Sequence, residues 1–131
     1  MREIKFRAWL KSNNLMYDVL CIDITEKKAL IEHGDMRGYA KYPDEIELMQ
    51  YTGQMDVNRE EIYEGDIFIV RNLHNRRFKV IYDGTRFIGV NHDGGWICYV
   101  DSCYKDGSSR LEIIGNIYEN PELLKEATHD I

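Results

Sequence analysis

No apolar run in this 131-residue chain approaches the roughly 18 residues that a membrane-spanning helix needs. The N-terminus, Met1-Arg2-Glu3-Ile4-Lys5-Phe6, lacks the apolar core of a secretory signal, so a cytoplasmic location without membrane contact is expected. Cysteine is sparse. Cys21, Cys98 and Cys103 form an odd set without regular spacing, which argues against a disulfide framework and reads as reduced thiols. Metal-ligand spacing is missing as well: five and four residues separate His92, Cys98 and Cys103, and neither CxxC nor HxxxH occurs. There is no G-x-S-x-G elbow, and Gly94, Gly95 and Gly107 are not followed by a helical pattern that would cradle phosphate. Nothing in the spacing sets His33, His74, His92 or His129 beside Cys98, Ser102 or Cys103, as nucleophilic catalysis requires. The chain is therefore expected to have no catalytic residue, no metal and no cofactor.

What is present is the pattern of a mainly β protein. The length suits one domain with a real core, and 44% hydrophobic with 31% charged residues is ordinary for a globular chain. Leu48 to Val70 organises the rest. It contains a polar strand ending in Tyr51-Thr52-Gly53, an acidic turn around Asp56 and Asn58, a Glu64-Gly65-Asp66 corner, and the apolar run Ile67-Phe68-Ile69-Val70. That run, rich in β-branched residues, predicts a strand buried on both faces.

Taken in order, Glu3 to Lys11 alternates Ile4, Phe6, Ala8 and Leu10 with Lys5, Arg7, Trp9 and Lys11, the period of a half-buried strand. Ser12-Asn13-Asn14 predicts a turn, Leu15 to Ile24 a second strand and Ala29 to Glu32 a third. His33 to Pro43 reads as an irregular, mobile loop, and Asp44 to Tyr51 as an exposed strand or a short helix. Between the alternating runs of Arg76 to Val90, Asp83-Gly84 predicts a hairpin with a type I′ turn. Asp93-Gly94-Gly95 turns the chain into a strand from Trp96 to Val100. Lys105 to Ser109 is a polar loop, and Leu111 to Ile114 closes the sheet. Asn120 as N-cap, Pro121 at the first helical position and Glu122 in the first turn start a short helix of about two turns, frayed from Thr128. About nine short strands with turns every 8–12 residues predict a barrel or strongly bent antiparallel sheets. The shared Ile-Tyr-Glu core of Ile62-Tyr63-Glu64 and Ile117-Tyr118-Glu119 suggests equivalent corners of two sub-barrels, about 1–60 and 61–131, within a single domain.

Charge is unevenly placed along a chain of net charge −6. Lys41 to Asp66 holds eight acidic residues against Lys41 and Arg59, whereas Arg71, Arg76, Arg77, Lys79 and Arg86 face only Asp83 in the following segment. The acidic crowd of Asp56, Glu60, Glu61, Glu64 and Asp66 suits general acid–base work in principle, but Glu64 and Asp66 fit better as acceptors for backbone N–H groups at the corner. The basic hairpin is interleaved with Phe78, Tyr82 and Phe87, as in small barrels that stack single-stranded nucleic acid beside a basic groove. A sequence pI near 5.2 opposes that reading.

Four blocks in order resemble the YopX family of phage and prophage proteins. They are Met1 to Trp9, Leu48 to Gly53, Glu61 to Asp66 and Ile114 to Leu124. The chain departs from the family pattern in the turn, with Gln54-Met55 and with Arg59 where glycine usually follows Asn58. Arginine resists the positive φ that glycine supplies, so a differently shaped or widened turn is expected. The resemblance implies a small β fold, a phage or prophage origin and no established catalysis. It carries over only fold determinants: Trp9, Tyr51, Gly53, Tyr63, Gly65, Asp66, Gly115, Tyr118 and Pro121. The expected function is a non-enzymatic accessory module that binds a macromolecule, a protein ahead of a nucleic acid, with self-association allowed by the complementary acidic and basic segments. Two alternatives stand beside it: a single-stranded nucleic-acid binder using Arg71, Arg76, Arg77, Lys79 and Arg86, and a weak hydrolase between Asp56 and Asp66.

Overall fold

A computed structural model describes residues 3–71, 76–95, 97–100, 104–105 and 108–126. Backbone contacts divide the chain into two compact units, Met1–Tyr51 and Thr52–Ile131. The fold is mainly β, with two open antiparallel sheets and one short C-terminal helix. Neither sheet closes into a barrel.

The first unit is a meander of β1 (Phe6–Leu10), β2 (Leu15–Asp23), β3 (Lys28–His33) and β4 (Met36–Lys41), followed by β5 (Ile46–Met55), which returns beside β1. The sheet order is β4-β3-β2-β1-β5, with β6 (Glu61–Tyr63) as its last strand. Tight turns link the meander through left-handed residues: Asn14 (φ 57°), Lys27 (φ 54°) and Gly34 (φ 60°). The core gathers Ala8, Tyr17, Ala29, Ile31, Ala40 and Ile46.

Three readings of this half are corrected. β1 is not half-buried throughout, because its successive residues Ala8 and Trp9, which point to opposite faces, are both buried. β5 is interior, burying Ile46, Met49, Tyr51 and Thr52 rather than standing exposed. His33 to Pro43 is not a loop: the His33–Gly34–Asp35–Met36 reversal returns the chain as β4, in register with β3 from Lys28↔Lys41 to His33↔Met36. β4 buries only Ala40, so it carries no apolar alternation for a sequence reading to detect.

The second unit holds a five-stranded sheet of order β10-β9-β8-β7-β13: β7 (Asp66–Val70), β8 (Arg77–Tyr82), β9 (Phe87–Val90), β10 (Ile97–Tyr99) and β13 (Leu111–Asn116). A small hairpin, β11 (Tyr104–Lys105) with β12 (Ser108–Ser109), occupies the polar segment before β13. β7 is buried as predicted, at Asp66, Ile67, Phe68 and Val70. Its Phe68 stacks on Phe78 with ring centroids 5.5 Å apart, and Ile62, Val70, Val80, Phe87, Val100 and Leu111 complete the core. Gly89 lies beneath this pair; a Cβ there would run into the Phe68 ring and come within 3.0 Å of Phe78 Cβ.

The β8–β9 hairpin forms, but its loop is Asp83 to Arg86 and not a two-residue type I′ turn. Only Gly84 has positive φ (102°), and Asp83 acts through its side chain, accepting the N–H groups of Thr85 and Arg86 at 2.9 Å. The helix α1 (Glu122–Glu126) follows Pro121 as expected, with Leu123 N–H bonded to Asn120 O. The Asn120 side chain turns the other way and accepts Asn116 N–H. Among the described residues, no helix is long and apolar enough to cross a membrane.

Candidate functional site

Three of the five basic residues of the predicted nucleic-acid face are drawn into contacts within the unit. Arg71 pairs with Glu112 at 3.6 Å, Arg77 donates to Leu123 O at 2.8 Å and holds α1 against β8, and the Arg86 guanidinium lies 4.0 Å above the Tyr99 ring. Arg77 and Lys79 share one face of β8, while Phe78 and Val80 alternate onto the other. Phe78 and Phe87 are core residues, buried at 0% and 7% exposure, so neither offers a ring on which a base can stack. Tyr82 is the exposed aromatic of that hairpin. His74, Trp96, Ser102, Cys103 and His129 lie outside the described residues.

The acidic corner is a set of backbone clamps. Asp56 is 4% exposed, and its Oδ1 accepts the N–H groups of Asn58 and Glu60, each at 2.8 Å. Its Oδ2 accepts Ile113 N–H at 3.0 Å, which ties the turn to β13 across the chain. The turn is kept tight despite the arginine: Asp56 N–H bonds Glu60 O, and Arg59 itself takes up the left-handed backbone (φ 63°) that glycine was expected to supply. Arginine thus adopts the left-handed conformation that it was expected to resist. Asp66, also buried, accepts Tyr63 N–H at 2.8 Å.

The two Ile-Tyr-Glu fragments meet at one corner instead of marking two barrels. Asn116 pairs with Asp66 in the β7–β13 ladder, and Ile117 N–H bonds Gly65 O at 2.8 Å. Asn116 repeats the role of Asp66, its Oδ1 accepting Tyr118 and Glu119 N–H. Gly53 (φ 88°) and Gly65 (φ 86°) need positive φ, and Lys5 Nζ lies 5.1 Å over the buried Tyr51 ring. A Cβ on Gly115 would strike the Asn120 side chain and Leu123. Among the described residues, no group of three or more His, Cys, Asp or Glu is arranged to hold a metal ion.

The feature that sequence reading missed lies in the first unit, along β4. An open, mostly apolar cleft of about 540 Å³ is lined by Leu10, Tyr17, Ile31 and the whole run Met36 to Ala40, with Lys11, Ser12, Asp44 and Glu45 at its rim. The strand registers put Leu10, Tyr17, Ile31, Met36, Gly38 and Ala40 on one face of the sheet, so the cleft lies on that face and reaches β4. β4 is the terminal strand of its sheet. Lys41 N–H and C=O turn away from β3, taken up by the Glu45 carboxylate (2.6 Å) and Glu45 N–H (2.8 Å). Strand alternation turns the N–H and C=O of Tyr39 and Arg37 the same way, toward an edge with no neighbouring strand among the described residues. Met36 (46% exposed) and Tyr39 (60%) stand on that strand. Tyr17, whose hydroxyl accepts from Asn13 Nδ2 at 2.6 Å and lies 3.7 Å from Met36 Sδ, forms the cleft's inner wall.

Comparison with known proteins follows the fold. The family model described as YopX protein matches residues 5–125. Among solved structures, the crystal structure of protein EF1440 from Enterococcus faecalis is similar, with a TM-score of 0.61 and 26% identity, over 95% of this chain and 99% of that one. No curated protein matches the chain.

Proposed function

The chain belongs to the YopX family, and from that premise we propose that it is a phage-type accessory protein of the bacterial cytoplasm that binds another protein without catalysing a reaction. The observation that carries this reading is where large apolar side chains stay in water. Met36 and Tyr39 on β4, and Ile97 (58% exposed) and Tyr99 (46%) on β10, stand on strands that end their sheets among the described residues. An open edge pairs with other chains, and although β4 carries Arg37 and Lys41 it also leaves Met36 and Tyr39 exposed. Exposed aromatics on an open edge therefore favour a docking role. Two of the acidic side chains on which the hydrolase alternative would draw, Asp56 and Asp66, accept backbone N–H groups.

Fluorescence anisotropy of labelled single- and double-stranded oligonucleotides at two salt concentrations tests the proposal against its chief competitor. No binding at low salt is the expected result. Micromolar binding that falls steeply with salt would signal phosphate contacts and overturn it. Capture from host extract, with native protein beside an Ile97→Lys variant and a Tyr39→Lys variant, then identifies which edge a partner uses.

A further inference from the structure

We infer that the outer face of the β3–β4 hairpin, where Lys28 and Lys41 flank Tyr39, is a docking surface for an acidic segment of a partner protein. This rests on the protein-binding reading above and names the chemistry of the partner.

Strand register builds the patch. Lys28 lies directly opposite Lys41 and Leu30 directly opposite Tyr39, so all four side chains leave the hairpin on one face. Ala29, Ile31 and Ala40 leave on the other face and join the core. The patch is therefore separate from the cleft, which lies on the core side. Tyr39 is 60% exposed, and the Lys28 ammonium lies 4.9 Å over its ring.

Two lysines directly opposite each other repel, and such like-charge pairs destabilise a sheet. No carboxylate relieves this one: among the described residues neither Lys28 nor Lys41 forms an ion pair. Asp23 faces Lys28 in register, but its Oδ1 accepts Glu26 N–H at 2.9 Å. Glu32 is held by Arg37 at 2.6 Å, and the Glu45 carboxylate by Lys41 N–H at the strand's edge. The Tyr39 hydroxyl has no protein partner among the described residues. Two ammonium groups and a phenolic O–H thus surround one exposed ring. A carboxylate answers all three, by charge to the lysines and as acceptor for the hydroxyl. The ring itself supplies apolar contact beside the charge, and tyrosine is enriched where interfaces concentrate their binding energy.

Nucleic acid is a poorer occupant. Asp23 and Glu32 stand on the same face and interrupt a track of phosphates, and the chain carries a net charge of −6. The same net charge repels acidic segments elsewhere on the protein, so binding of one reports the local charge of this patch.

The test is fluorescence anisotropy of the full chain with two fluorescein-labelled peptides: glutamate and serine around one tryptophan, and the same peptide with lysine for glutamate. The glutamate peptide should bind, less tightly as salt rises, and the lysine peptide at least about tenfold more weakly. Lys28→Gln combined with Lys41→Gln should weaken the glutamate peptide at least about tenfold, and Tyr39→Ala should weaken it too. Lys27→Gln, in the preceding turn, should leave it unchanged. Circular dichroism confirms that each variant is folded. If the glutamate peptide does not bind, or binds the doubly substituted protein as tightly as the native one, the inference is overturned. A host partner captured equally by both proteins would leave the protein-binding reading standing without this surface. Salt-sensitive oligonucleotide binding that the double substitution removes would assign the patch to phosphate and overturn both.

Discussion

Removing the Asp56 carboxylate should be among the most damaging single changes to this protein. The group is buried, and it accepts three backbone N–H groups, from Asn58, Glu60 and Ile113, at 2.8–3.0 Å. Hydrogen bonds to a charged acceptor contribute about 1.5–3 kcal/mol each, and the donors left behind cost a further desolvation penalty only where water cannot reach them. The two turn donors lie at the chain's reversal and regain water; Ile113 N–H lies in β13. The loss for Asp56→Ala is therefore about 3–5 kcal/mol, short of full additivity because the three bonds share one group. Asp56→Asn keeps one oxygen for the turn but sets an amide N–H₂ against Ile113 N–H, for a loss of about 2–3 kcal/mol. Urea unfolding followed by far-ultraviolet circular dichroism measures both, provided the transition is two-state with an unchanged slope. Amide exchange at Ile113 should accelerate before that of Phe78 in the core. An Asp56→Ala variant within about 1 kcal/mol of the native protein would refute the clamp, since that is the size of an ordinary surface change.

Three further outcomes follow from named geometry. Arg59→Gly should raise stability by about 0.5–1 kcal/mol, because φ 63° strains an L-residue and glycine returns part of the gain as chain entropy; thermal denaturation reads it. Gly89→Ala should cost about 1–3 kcal/mol, since the added methyl meets the Phe68 ring, and a larger shift of the Phe68 ring resonances than of Phe6 would locate the strain. Arg86 and Thr85 N–H groups, with the Thr85 hydroxyl, hold the Asp83 carboxyl below its ordinary value of 3.8. A depressed folded pKa stabilises the hairpin loop above the unfolded value, and the effect is lost as pH falls through the folded one. A carboxyl NMR titration should give Asp83 a midpoint below 3.8, and Asp83→Asn should abolish the acid-dependent loosening of the loop.

Local chemistry determined a good deal of this protein by itself. Alternation and β-branched content marked β1, β2, β3, β7, β8 and β9, glycine and asparagine marked several of the reversals, and Pro121 with Glu122 marked the start of α1. Those signals are legible because each depends on a residue and its near neighbours. Tertiary structure decided the rest. It determined that Trp9 is buried, and that Arg59 takes the left-handed backbone within the clamp around Asp56. It also set the two Ile-Tyr-Glu fragments side by side through a β7–β13 pairing roughly fifty residues apart in sequence. β4 is the clearest case. Its inner face carries Met36, Gly38 and Ala40, and its outer face Arg37, Tyr39 and Lys41, a pattern with no period for a reader to find. Only the register with β3 makes it a strand, and only its place in the sheet leaves one side of it without a neighbouring strand among the described residues. An unpaired edge is a property of what is absent next to a strand, and no residue encodes an absence.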